Sequence, residues 1–114
     1  MKQEMEYDFP ANADYIGEWM PVRLTAWRDK PFTASTLQVR WCGVEPNAGT
    51  IRVKLSNDGA NSTTLATLSP AQEDNSDDVT IYEINTLAEF IGLSYTANSD
   101  SPGHIIATIY YHND

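Results

Sequence analysis

Apolar and polar residues alternate in twos along most of this chain. In TLQVRWC, residues 36–42, Leu37, Val39 and Trp41 fall on one side and Gln38 and Arg40 on the other. IRVKLS, residues 51–56, repeats the pattern, with Ile51, Val53 and Leu55 set against Arg52 and Lys54. Successive side chains leave a strand on opposite faces, so this period predicts strands with one face in a core. FIGLSYTA at 90–97 groups Ile91, Leu93 and Tyr95, and VTIYEI at 79–84 reads as another strand. HIIATIYYH at 104–112 is apolar on both faces, which suits a central strand or one covered by a partner.

Turn signals separate these runs. Asp58-Gly59 in SNDGANS supplies the bend of a hairpin that returns through TTLATL, because Gly accepts positive φ and Asn and Asp tolerate it. GVEPNAG and NSDSPG are further turns, and RDKPFTAS and SPAQEDNSDD are loops. DYIGEWMPVRL at 14–24 reads as a first strand broken near Pro21, and NTLAEF at 85–90 as an edge loop or one helical turn capped by Asn85. No amphipathic helix of useful length is predicted. About seven or eight short strands point to an all-β, antiparallel β-sandwich of jelly-roll-like form.

A length of 114 residues suits one domain. Residues 1–13 are polar and acidic, with Tyr7 and Phe9 as apolar points and Pro10 as a breaker. They read as an N-terminal arm, and 14–114 as the single sandwich domain. Removing the arm is expected to impair assembly and leave the domain folded.

Charge adds an asymmetry. The net charge is −9, the wrong sign for a free-standing nucleic-acid binder. All seven Lys and Arg residues lie at or before Lys54, matched there by seven acidic residues. The nine acidic residues from Leu55 onward have no basic counterpart. That pattern fits a solvated acidic face, or a dipolar subunit whose basic side meets an acidic neighbour. The opening MKQEMEYDFP lacks an apolar core and is acidic where a targeting segment would be basic, so a soluble protein made in a cytoplasm is expected. No apolar run approaches the roughly 20 residues of a membrane-spanning helix.

Candidate chemistry is sparse. Cys42 is the single cysteine, which excludes an intrachain disulfide and, without a Cys/His signature, reads as a small core or surface residue. His104 and His112 share one strand face but stand about 26 Å apart, too far to hold one metal. Asp74, Ser76 and Asp78 alternate as calcium ligands do, yet the loop lacks the Gly and Glu of a calcium-binding loop and reads as solvated. Asn61-Ser62-Thr63 matches a glycosylation triplet by chance. No catalytic constellation and no cofactor are predicted. Twelve aromatic residues leave Trp19 and Trp27 as ring candidates for sugar stacking, or for packing or a subunit interface, while Trp41 reads as core.

The joint order of VRWCG at 39–43, GTIRVKLSNDGANSTTL at 49–65 and FIGLSYTANSDSPGHIIATIYY at 90–111 resembles small β-sandwich proteins of bacteriophage virions. Gly92 departs from that pattern, and close approach of backbone or partner is expected there. The resemblance implies a non-enzymatic structural component of a bacteriophage virion: a capsid vertex, spike-base or decoration subunit. It would be synthesised in the host cytoplasm and partnered by itself and other virion proteins. Tyr7, Phe9, Trp19, Trp27 and Tyr110 are then the expected interface. The alternative is a carbohydrate- or receptor-binding module for host attachment.

Overall fold

The computed structural model describes residues 2–21, 34–70, 78–84 and 88–112. Within them the regular secondary structure is all strand: β1 (Lys2–Pro10), β2 (Tyr15–Ile16), β3 (Met20–Pro21), β4 (Ala34–Cys42), β5 (Gly49–Ser56), β6 (Ser62–Leu68), β7 (Asp78–Glu83), β8 (Phe90–Ala97) and β9 (His104–His112). They form two antiparallel sheets. The first has the order β1-β9-β4-β7, and the second β2-β8-β5-β6 with β3 also on β8.

The pairing is nested. β1 lies on β9, β2 and β3 on β8, β4 on β7, and β5 on β6. A long hairpin centred on the β5–β6 turn, folded over so that β4 meets β9 and β5 meets β8, generates this order. It is the strand order of a jelly roll.

The alternating residues meet between the sheets. Leu37, Val39 and Trp41 of β4 and Ile105, Ala107 and Ile109 of β9 face Ile51 and Val53 of β5 and Ile91, Leu93 and Tyr95 of β8, all buried. Each such aliphatic side chain contributes roughly 1.5–3 kcal/mol relative to exposure. Trp41 is wholly buried, and its Nε1–H donates to Thr80 Oγ1 at 3.0 Å, so the indole enters the core without an orphaned donor. The β5–β6 ladder carries a bulge: Val53 pairs Ala66 but Lys54 pairs Thr64, leaving Leu65 extra.

The N-terminal segment differs from the expected arm. Lys2–Pro10 is a full strand of the sandwich, paired with β9 along its whole length. Tyr7 is 3% and Phe9 2% exposed. Phe9 stacks on Tyr15 at 4.4 Å and packs against Tyr95. Tyr7 O–H donates to the Glu18 carbonyl at 2.6 Å, and burial pushes its phenol pKa above the ordinary value. The physical reason lies in the sequence: Met5, Tyr7 and Phe9 alternate with Glu4, Glu6 and Asp8, and an edge strand tolerates both exposed charge and a terminal proline. These two aromatics therefore serve the chain's own core. NTLAEF lies partly outside the described residues, at 85–87.

Candidate assembly surfaces

Two broad faces and the sheet edges remain outside this core. On the outer face of the first sheet, the register aligns four strands into rows. Glu4, Tyr110, Thr36 and Glu83 form one; Glu6, Thr108, Gln38 and Ile81 the next; Asp8, Ile106, Arg40 and Val79 the third. β1 thus lends the face an acidic margin of three exposed carboxylates. β7 lends the opposite margin Val79, 53% exposed, and Ile81, 66% exposed. Tyr110 and Ile106 between them are half-buried.

β7 is a sheet edge among the described residues, pairing only with β4. Large apolar side chains on an edge strand are costly in isolation, because water meets both the side chains and the unpaired backbone.

The outer face of the second sheet has a different character. Its rows bring Ile16, Ser94, Arg52 and Thr67 together, and Gly92, Lys54 and Thr64. Arg52 donates to Thr96 Oγ1 at 3.1 Å. None of these positions is acidic. Ile16 is 83% exposed. Trp19 covers Gly92: a β-carbon there would lie 2.7 Å from the indole Cε3. The close approach expected at Gly92 is made by the chain itself. A dimple of about 50 Å³ remains beside it, lined by Ile16, Gly17, Trp19, Lys54, Gly92 and Leu93.

The β5–β6 turn borders a cleft of about 460 Å³, lined in part by Ser56, Asn57, Asp58, Asn61 and Thr63. Its carboxylate is already engaged. Asp58 Oδ1 accepts from Asn61 N at 2.8 Å, Ala60 N at 2.9 Å and Ser56 Oγ at 3.1 Å, and Oδ2 accepts from Asn61 Nδ2 at 2.9 Å. Led by the Asn61 and Ala60 backbone donors, these bonds hold the Asp58 carboxyl well below the usual carboxylate range. Gly59 takes φ of 76°, the conformation predicted for the turn. Asn57 Oδ1 accepts from Glu89 N at 3.2 Å and ties the turn to the start of β8. The polar groups of this cleft close a hairpin.

Cys42 and His104 are cross-strand partners, which sequence reasoning did not bring together. The thiol makes a weak contact with the Arg40 carbonyl at 3.9 Å. No group of three or more metal-ligating side chains gathers among the described residues. Trp27, Asp74 and Ser76 lie outside those residues, and Asp78 opens β7 opposite Trp41. No helix among the described residues is long and apolar enough to cross a membrane.

No family model matches the chain, and no curated protein matches it. Among solved structures it is similar to PirA, at 12% identity and TM-score 0.51, with 96% of this chain and 93% of that one covered. It is also similar to a subunit from work described as "Bacillus endospore appendages form a novel family of disulfide-linked pili". There the identity is 11% and the TM-score 0.47, covering 100% of this chain and 88% of that one. At such identity the likeness to PirA is one of fold.

These comparisons overturn the bacteriophage resemblance: no family model supports it, and neither of the two solved structures named above is a virion protein. The capsid, spike-base and decoration roles, the virion partners and the virion location are withdrawn with it, as is host attachment. The residues that carried the resemblance explain the error. Val39, Ile51, Val53 and Leu55 are core, and Gly59 makes a turn. They report a jelly roll and not the particle it belongs to.

Proposed function

We propose that this chain is a structural subunit that assembles with copies of itself and performs no catalysis. The observation that carries the reading is Val79 and Ile81 side by side on β7, exposed at an edge strand with no second partner among the described residues. Burying two such side chains against a neighbour would recover about half to two-thirds of the roughly 1.5–3 kcal/mol that full burial of each is worth. Tyr110 and Ile106 lie on the same sheet face, beyond Thr36, Gln38 and Arg40 of β4, and belong to the same proposed interface. In the cleft beside the β5–β6 turn the Asp58 carboxylate is already taken up by four hydrogen bonds.

The test is the double substitution Val79→Lys and Ile81→Lys, followed by light scattering on a sizing column. Both side chains project outward, so the variant is expected to keep its circular dichroism spectrum and lose the oligomer. An oligomer of unchanged mass and stability in that variant would contradict the reading.

A further inference from the structure

We propose that copies stack head to tail, the outer face of the first sheet of one copy lying on the outer face of the second sheet of the next. This rests on the self-association reading and specifies its geometry. Three observations converge on it.

The first is charge. By register the first sheet's outer face carries four acidic positions, Glu4, Glu6, Asp8 and Glu83, against two basic ones, Lys2 and Arg40. The second sheet's outer face carries Arg52 and Lys54 with no acidic residue among its outward strand positions. The unlike faces attract, whereas pairing the second face with itself would set cation on cation.

The second is apolar surface. The three large apolar residues found exposed among those described divide between the same two faces: Val79 and Ile81 on one, Ile16 on the other. Stacking the unlike faces covers all three at once.

The third is shape. The dimple beside Ile16 is bordered by Trp19 and Gly92, and its volume of about 50 Å³ admits the end of one aliphatic side chain. Ile81 is the more exposed of the two exposed large aliphatic side chains on the other face. Lys54 stands at the rim of the dimple, where an acidic neighbour would meet it. An interface between two different patches is heterologous, so each added copy exposes a fresh face and growth continues or closes into a ring.

The experiment uses two charge-reversed variants. One carries Glu6→Lys and Asp8→Lys, the other Arg52→Glu and Lys54→Glu. Each alone is expected to remain monomeric in sedimentation velocity, with apparent affinity lowered about tenfold or more by like charges brought together. Mixed in equal amounts they are expected to recover the wild-type mass, because every junction again joins unlike faces. That recovery also shows that both variants are folded. Assembly by either variant alone, or a mixture that stays monomeric while both retain wild-type melting curves, overturns the stacking geometry and leaves self-association standing. A wild-type protein that is monomeric throughout overturns both.

Discussion

Trp19 lies so close over Gly92 that a β-carbon at residue 92 would fall 2.7 Å from the indole Cε3. Residue 92 is therefore small because a ring of the same chain occupies the space. Gly92→Ala is expected to destabilise the protein by about 1–3 kcal/mol, as the indole is pushed off its seat. With Trp19→Ala in place most of that cost should vanish, since alanine otherwise suits a strand better than glycine. Urea unfolding of the four proteins measures the coupling. Additivity within about 0.5 kcal/mol would show that the two residues do not interact.

β1 is part of the core and not an appendage. Phe9→Ala is expected to cost about 3–5 kcal/mol, the usual penalty for emptying a buried aromatic site. Deleting residues 1–10 should abolish cooperative thermal unfolding, because it strips β9 of a partner and removes Tyr7 and Phe9 together. A truncated protein that still melts sharply near the wild-type temperature would contradict this placement.

Thr80 accepts the only side-chain hydrogen bond described for the Trp41 indole. Thr80→Val keeps the shape and removes the acceptor, at an expected cost of about 1–3 kcal/mol for the orphaned donor. Thr80→Ser should restore most of the loss, which a mere packing defect would not allow. Denaturant midpoints of the three proteins decide it.

The Asp58 carboxylate ties the β5–β6 turn through backbone and side-chain donors, and its pKa is depressed in the folded protein. Its contribution to stability is therefore present above the unfolded value, about pH 4, and is lost as pH falls through the lower folded value. The stability gap between wild type and Asp58→Ala should be constant from neutral pH to about pH 5 and narrow steadily below it. A gap that does not change on acidification would mean that the charged form is not what the turn requires.

Much of the fold was legible because period-two alternation is local. Val39 and Trp41, or Ile51 and Val53, declare their inward face within six residues, and Asp58-Gly59 declares its turn within two. β1 obeyed the same alternation from Glu4 to Phe9, but its acidic residues and Pro10 masked it. Those are the features by which an edge strand differs from a central one. The assembly surfaces were less legible. Ile106, Arg40 and Val79 form one row only because β9, β4 and β7 pair in that order. Partner choice is set by packing between distant segments, which no local pattern encodes. The same holds for Trp19 over Gly92 and for Cys42 opposite His104.

Sedimentation velocity of the untagged wild-type protein across a hundredfold range of concentration is the direct test of self-assembly. A weight-average mass that rises well above the 12.7 kDa of one chain as concentration increases is the predicted result. A single boundary at the monomer mass over the whole range would contradict it.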